Sequence, residues 1–354
     1  MNAQFTQHNL IFKQASGTSR GVLTTKETYL LEISKNGQKG IGECAIFRGL
    51  SYDDVPDYEE KLTWLCENIN LDFEVLKKEL LHYPSIIFGL EQALLNLEHG
   101  EDLYFPSDFT DGKDSIKING LIWMGNADFM QSQIEEKLAK GFDCIKLKIG
   151  VDWKSEKEII KKLREKFPKE QLELRVDANG AFSYEEARMV LQELADLGIH
   201  SIEQPIKKSE VRSPKSEENL EINSTDCCVP WNEMAKLCAE TPTPIALDEE
   251  LIGVIDFEEK KKLLETIKPQ YIILKPALVG GFSGSDEWIA IAESLGINWW
   301  ITSALESNIG LNAICQYTYT KKNPLPQGLG TGALFTNNFE THLQLEGDQM
   351  WHKK

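Results

Sequence analysis

Short apolar runs that each end in a charged residue recur through the middle of the sequence. Five of these runs end at Lys148, Asp177, Glu203, Asp248 and Lys275. A run of Ile, Leu and Val without alternating polar residues is typical of a parallel strand that is buried on both faces. Lys148 and Asp177 are 29 residues apart, Asp177 and Glu203 are 26 apart, and Asp248 and Lys275 are 27 apart. Since a strand, a helix and their loops take roughly 30 residues, the spacing predicts consecutive βα units.

One interval breaks this rhythm. Glu203 and Asp248 are 45 residues apart, and the excess lies in residues 207–226, which are rich in Ser, Lys and Glu. A segment of this composition has little apolar surface to bury. We therefore predict a solvated surface insert after the fourth strand.

Three more short runs, at residues 116–121, 298–303 and 327–330, bring the number of predicted strands to eight. Eight parallel strands with intervening helices predict an α/β fold of the (β/α)8 type, a TIM-like barrel over residues 113–334. The site of such a barrel lies at the C-terminal ends of its strands.

The first 112 residues follow a different pattern. Asn36-Gly37 is a typical hairpin turn between two strand-like runs, at residues 26–34 and 40–45. Helical spacing then follows at residues 52–68, 73–81 and 84–99. An antiparallel pair followed by helices predicts a separate α+β module over residues 1–112. We expect the tail, residues 335–354, to pack on that module.

Composition narrows the class of partner. The formal net charge of −18 argues against nucleic acid and against an anionic membrane surface. The seven cysteines are scattered and form no CxxC pair, no apolar run approaches 18 residues, and the N-terminal residues show no signal-peptide pattern. These features predict a cytoplasmic protein whose partner is a small molecule.

Barrel geometry brings the charged strand ends together. Strands two and six lie across the barrel, so Lys148 and Lys275 are expected to face each other over its mouth. Asp177, Glu203 and Asp248 end the strands of the arc between them. Three close carboxylates repel one another unless a cation binds among them. A hard ion with oxygen ligands fits, and we predict Mg²⁺, with Mn²⁺ as a possible substitute.

A metal flanked by two lysines favours one chemistry. The metal stabilises the enediolate of a carboxylate substrate, and a lysine removes the α-proton. An ordinary lysine, with a pKa of about 10.4, is protonated at neutral pH, so the pKa of the base must be lowered. The metal and Lys146, which shares the inward face with Lys148, would both lower it.

Several neighbouring residues have open interpretations. Lys146 is either part of the catalytic group or a buried ion-pair residue, and Arg175, one layer below Asp177, either neutralises carboxylates or contacts substrate. Asn179 and Ser303 are further candidates for supporting the site or binding substrate. Glu249 directly follows Asp248 and is expected to point outward.

The histidines offer no alternative base in this pattern. His200 and the other histidines have no carboxylate partner in register with the strand ends. A histidine base is therefore not expected.

These motifs resemble a known family. Lys146-x-Lys148, the three strand-end carboxylates and Lys275 resemble the muconate-lactonizing subgroup of the enolase superfamily. Residues 40–43 and 84–97 are similar to the capping domain of that superfamily. Within the subgroup, residues 118–122, 303–310 and 328–335 resemble the o-succinylbenzoate synthases.

The resemblance implies a magnesium-dependent dehydration of 2-succinyl-6-hydroxy-2,4-cyclohexadiene-1-carboxylate to o-succinylbenzoate in menaquinone biosynthesis. It assigns Lys148 as the acid and base and Lys275 as the cation that stabilises the enediolate. The insert and residues 48–50 depart from the family pattern.

Two other functions remain open. The same lysine pair could catalyse a two-base 1,1-proton transfer, as in the dipeptide epimerases and N-acylamino acid racemases of the subgroup. A non-catalytic binding barrel is the more distant alternative, because it would be expected to lack a lysine or a ligand.

Overall fold

The structure is a computed structural model that describes residues 1–18, 21–123, 125–209 and 231–353. Residues 210–226 of the predicted insert lie outside the described residues. Within the described ranges, no helix is both long and apolar enough to cross a membrane.

An antiparallel sheet opens the chain, with strand order β1-β2-β3. Its members are β1 (Asn2–Thr18), β2 (Gly21–Lys35) and β3 (Gln38–Cys44). The predicted turn joins β2 to β3, and both Asn36 and Gly37 have positive φ, at 53° and 82°. Strand β1 has no predicted counterpart. Up to Gln14, only Leu10 and Phe12 of this strand are buried, so its sequence carries little hydrophobic pattern.

Three helices cover this sheet: α1 (Tyr58–Asn68), α2 (Phe73–Glu79) and α3 (Pro84–His99). Helix α1 begins six residues later than predicted, because Pro56 disfavours helical geometry at the residue before it. Helix α3 packs directly on β3. A Cβ on Gly42 would lie 2.0 Å from the carbonyl oxygen of Gly89, so only glycine permits this approach.

Seven parallel strands form the second sheet, in the spatial order β11-β10-β9-β8-β7-β6-β5. They are β5 (Gly120–Ile122), β6 (Cys144–Lys148), β7 (Glu173–Asp177), β8 (Ser201–Glu203), β9 (Ile245–Leu247), β10 (Tyr271–Leu274) and β11 (Asn298–Ile301). The helices that accompany them are α4 (Ala127–Ala139), α5 (Trp153–Lys166), α6 (Tyr184–Asp196), α7 (Asn232–Glu240), α8 (Phe257–Ile267), α9 (Pro276–Val279), α10 (Gly281–Ser294) and α11 (Asn308–Thr320).

The barrel closes through two residues rather than a full eighth strand. Gln327 forms a parallel bridge with Ile118, and Gly328 forms one with Thr302. The Gln327 amide donates to the Lys117 carbonyl at 2.9 Å, and the Gly328 amide donates to the Ile301 carbonyl at 2.8 Å. The predicted strand at residues 327–330 is therefore present as a short hydrogen-bonded seam.

The predicted first barrel strand divides into two. Strand β4 (Ser115–Lys117) leaves the barrel and joins the C-terminal hairpin of β12 (Leu343–Glu346) and β13 (Gln349–His352), whereas β5 pairs with β6. The tail also contacts the N-terminal sheet, since Phe335 bridges to Phe12 and their rings lie 4.7 Å apart. The C-terminal segment thus contacts both parts of the molecule.

Candidate active site

The charged strand ends meet at one end of the barrel. Lys148, Asp177 and Glu203 are the last residues of β6, β7 and β8, while Asp248 and Lys275 directly follow β9 and β10. The three carboxylate side chains are 2% exposed, and the two lysines are 12% and 13% exposed. Because parallel strands end at the same edge, consecutive βα units bring these five side chains together.

Each lysine of the group contacts a carboxylate. Lys148 Nζ lies 2.9 Å from Asp177 Oδ2, and Lys275 Nζ forms a close ion pair with Asp248. Lys146 Nζ donates to Glu203 Oε2 at 2.7 Å and lies 3.7 Å from Asp177 Oδ2. The site is thus a buried network of alternating charge.

The network shifts the pKa values of its members. Burial raises the pKa of the Asp177 carboxyl, but Lys148, Lys146 and Lys275 lower it more, so the net shift is well below its usual range. Burial dominates at Asp248, whose pKa is raised well above its usual range despite Lys275. Burial lowers the pKa of Lys275, but the charges of Asp248 and Glu203 raise it by more, so the net shift of this pKa is upward.

Asn179 ties this network to Glu249. The Oδ1 atom of Asn179 accepts from Lys148 Nζ at 2.6 Å, its backbone amide donates to Asp177 Oδ1 at 3.0 Å, and its Nδ2 donates to Glu249 Oε1 at 3.0 Å. The expectation that Glu249 points outward is wrong, since it is buried, with 6% exposure. Strand alternation no longer applies there, because the chain turns at once into a 3-10 helix, Glu249–Leu251.

The other two candidate residues differ in position. The Oγ of Ser303 lies 2.6 Å from Thr331 Oγ1, and Ser303 lines the cavity beside the lysines. Arg175 is 1% exposed; it donates to Glu173 at 2.7 Å and to the Pro326 carbonyl at 2.9 Å, beneath the ring of Trp300. These contacts place it in the barrel interior, and it is not among the residues that line the cavity.

A partly apolar cavity covers the charged network. Lys146, Lys148, Lys275 and Asn179 line it, together with residues that the sequence patterns did not single out. The sequence signal that could have identified residues 47–50 is their position in the loop between β3 and α1. A loop from the first module can reach over the barrel mouth and line the cavity. The additional lining side chains include Phe47, Leu50, Leu121, Trp123, Thr302 and Thr331.

The carboxylates fit a hard divalent cation. All three offer oxygen donors, which suit such an ion. The Oε1 atom of Glu203 is buried and has no hydrogen-bond partner in the described part of the chain. Since burial and neighbouring acids oppose ionisation of Asp248, an added cation would stabilise the charged form.

Two histidines do have a carboxylate partner, although not one in register with the strand ends. His342 Nδ1 and His352 Nε2 lie 2.6 Å and 3.1 Å from Asp102 Oδ2. Their partner Asp102 lies in a loop that is distant in sequence, so the register of the strands could not predict this contact. No histidine lines the lysine cavity within the described ranges.

Comparison with known proteins shows the family of this chain. Residues 130–217 and 226–349 match the family model described as "Enolase C-terminal domain-like". The o-succinylbenzoate synthase of Desulfotalea psychrophila is 42% identical, over 98% of this chain and 98% of that protein. The N-succinylamino acid racemase of Thermus thermophilus is 33% identical, over 83% of this chain and 75% of that protein.

Solved structures give the same result. The crystal structure of MenC from Desulfotalea psychrophila superposes with a TM-score of 0.84 at 39% identity, covering 99% of each chain. The L-Ala-D/L-Glu epimerase of Bacillus subtilis superposes with a TM-score of 0.80 at 20% identity, over 99% of this chain and 96% of that one, which supports the fold alone. The predicted α/β barrel with a capping domain is therefore confirmed, and the chain belongs to the enolase superfamily.

Proposed function

We propose that this enzyme is an o-succinylbenzoate synthase, a lyase that removes water from 2-succinyl-6-hydroxy-2,4-cyclohexadiene-1-carboxylate. The observation that carries the proposal is the pair Lys148 and Lys275, which line one cavity on either side of three buried carboxylates. The 42% identity to a curated o-succinylbenzoate synthase over nearly the whole chain supports this choice of substrate.

Lys148 acts as the base and then as the acid. Its neutral amine takes the proton from the carbon that bears the substrate carboxylate, leaving an enediolate. The ammonium then returns a proton to the departing hydroxyl group, so the products are o-succinylbenzoate and water. Asn179 Oδ1, at 2.6 Å, accepts from Lys148 Nζ and fixes the position of the amine.

Lys275 supplies a fixed positive charge. Its ammonium forms a close ion pair with Asp248 and lies 4.0 Å from Glu203 Oε1, and we assign it the protonated role throughout the reaction. A cation beside the developing enediolate stabilises the transition state more than the ground state. Lys146 has a structural role, because its ammonium group forms ion pairs with Glu203 and Asp177 and so holds these carboxylates in place.

Asp177, Glu203 and Asp248 would hold the divalent metal, for which we propose Mg²⁺ with Mn²⁺ as a substitute. When bound, the ion supplies electrostatic stabilisation to the substrate carboxylate. The carboxylates themselves hold both lysines in place through ion pairs.

The lining of the cavity is suited to the partly apolar ring of the proposed cyclohexadiene substrate. Phe47, Leu50, Leu121 and Trp123 contribute apolar side chains to the cavity lining, which would help to exclude water from the reacting atoms. We also place the enzyme in the cytoplasm, where the cysteines of the described ranges, all free thiols, would stay reduced.

The test is an assay of the purified protein with Mg²⁺ and the cyclohexadiene substrate, run beside a panel of dipeptides and N-succinylamino acids. We expect turnover of the cyclohexadiene, which is measured as the formation of the aromatic product. Efficient epimerisation of a panel member with no dehydration would overturn the proposal.

A two-base 1,1-proton transfer is the second candidate. The 33% identity to an N-succinylamino acid racemase favours it, and two lysines in one cavity could each serve one face of a substrate. In that case the two lysines are chemically equivalent, and deuterium from the solvent enters product formed from either enantiomer.

A further inference from the structure

Away from the lysine cavity, two histidines and an aspartate converge on one point. Asp102 Oδ2 lies 2.6 Å from His342 Nδ1 and 3.1 Å from His352 Nε2. The three donor atoms all lie within 4.8 Å of one another. None of the three residues lines the lysine cavity.

The fold builds this cluster from two distant parts of the chain. His342 and His352 flank the C-terminal hairpin, in which His352 pairs with Leu343 across the strands. The Lys353 amide donates to the His342 carbonyl at 2.8 Å and closes the hairpin there. Asp102 lies in the loop after α3, and its carbonyl accepts from Asn312 and Gln316 of α11. Strand pairing therefore positions His352, and the bonds from α11 position Asp102, whereas His342 lies just before β12.

We propose that Asp102, His342 and His352 form a second metal site, which binds a borderline divalent ion such as Zn²⁺, Co²⁺ or Ni²⁺. Two imidazole nitrogens and one carboxylate oxygen are the donor set that these ions prefer, whereas Mg²⁺ prefers oxygen alone. Metal–ligand bonds of about 2.0–2.2 Å require donors slightly farther apart than a hydrogen bond. Since the His342 side chain is 44% exposed, it can move by that amount.

Burial and access both suit an ion. The His352 side chain is fully buried, and the centre of its ring lies 5.8 Å from that of Phe109 and 5.4 Å from that of His342, so one ligand is fixed in advance. Asp102 is 27% exposed, which leaves open positions for water ligands and a path from solvent.

The bound ion would join the C-terminal hairpin to the loop that leaves the first module. It would link residues 240 and 250 positions apart in sequence, so we expect it to stabilise the folded chain. This role does not depend on the reaction at the lysine cavity.

The test is titration of the metal-free full chain with Co²⁺ and Zn²⁺ in the presence of excess Mg²⁺, which occupies the carboxylate site. We expect one equivalent of Co²⁺ to bind with visible absorption of a nitrogen-ligated ion, and Zn²⁺ to raise the melting temperature. His342→Gln removes a half-exposed ligand without opening the core. It should weaken binding by about 100-fold or more, since loss of an outer-shell partner alone costs about 10–100-fold.

His99→Gln is the matched control, because His99 is an exposed histidine at the end of α3. It should bind both ions as the wild type does, and Asp102→Asn should behave like His342→Gln. No binding by the wild type, or equal binding by His342→Gln, would overturn the proposal and leave Asp102 as a hydrogen-bonded link between two histidines.

Discussion

Glu43, at the end of the first sheet, caps the N-terminus of helix α11 in the barrel through Ser307. The backbone amide and the hydroxyl of Ser307 donate to the Glu43 carboxylate at 2.9 Å and 2.6 Å. The amide of Gly310 adds a third bond at 2.9 Å, and a Cβ at that glycine would lie 2.7 Å from the same carboxylate. A negative charge at this place also interacts favourably with the helix dipole.

We therefore expect Glu43→Gln to destabilise the joint between the two modules. The glutamine side chain keeps one acceptor oxygen but loses the negative charge, and its NH₂ group faces N–H or O–H donors of Ser307 and Gly310. The free energy of unfolding should therefore fall by about 1–3 kcal/mol. Thermal or urea unfolding measures the loss. Glu60→Gln, at an exposed site on α1, should change stability little, and an equal loss in both variants would contradict the capping role.

A second carboxylate crosses the same joint and predicts a pH dependence. Glu91 of α3 accepts from the Phe282 and Ser283 amides at the start of α10, and burial, opposed only in part by these hydrogen bonds, raises its pKa to about 7. A raised carboxyl pKa adds stability that is present below the unfolded value and is lost as the pH rises through about 7.

We accordingly expect Glu91→Gln to match the wild type near about pH 5 and to be more stable near about pH 8, by up to about 3 kcal/mol. The melting temperature across this range is the measurement. Glu98→Gln, exposed on the same helix, should follow the wild-type curve. A variant less stable than the wild type at the higher pH would mean that the ionised carboxylate is favourable there.

The opposed lysines separate the two proposed reactions. Lys148→Ala should lower the dehydration rate by about 10²–10⁴-fold and abolish exchange of the substrate α-proton with D₂O, because Lys148 is the base of the proposed dehydration and Lys275 stays protonated in it. Lys275→Arg keeps the charge but cannot act as a base. It should retain measurable dehydration, reduced because the larger group shifts the substrate.

Rates of dehydration and of deuterium uptake, measured on the same preparations, check this pair. If Lys275→Arg also lost all proton exchange while Lys148→Ala retained it, the roles assigned to the two lysines would be reversed.

The carboxylates predict a metal requirement. Asp177→Asn, Glu203→Gln and Asp248→Asn should each abolish activity together with its dependence on added Mg²⁺, because each removes one charged oxygen ligand. Activity after chelation and readdition of Mg²⁺ is the measurement. Glu185→Gln, whose side chain is 75% exposed, is the control, and a site variant that stayed fully active after chelation would exclude the assignment.

The barrel was predictable because its strands carry the strongest sequence signals. Continuous apolar runs at regular intervals predicted the fold class, the resemblance of the strand-end motifs predicted the family, and both are confirmed. The division at residue 112 and the catalytic roles of the site residues stay predictions. Strand β1 gave no signal because it buries few side chains, and the divided first strand depends on its pairing with a hairpin more than 200 residues away.

The site residues on strands could be predicted from strand geometry, whereas those outside the strands could not. Lys148, Asp177 and Glu203 lie on strands, so spacing placed them. Glu249 lies past a strand end, where the chain changes conformation, and the cavity wall at Phe47 and Leu50 comes from another module. Such contacts follow from how the modules pack, which no local pattern encodes.

The two carboxylates at the joint also constrain how the enzyme can admit its substrate. Swinging the first module away from the barrel would break the hydrogen bonds that Ser307 and the barrel amides donate to Glu43 and Glu91, so domain opening is not the gating motion we expect. Residues 47–50 form a turn in which Gly49 has a φ of +76°, with no heavy atom of the described residues, apart from its two chain neighbours, within 4 Å of the position that a Cβ would take. Substrate exchange should therefore depend on the motion of this one turn, on the timescale of a surface loop.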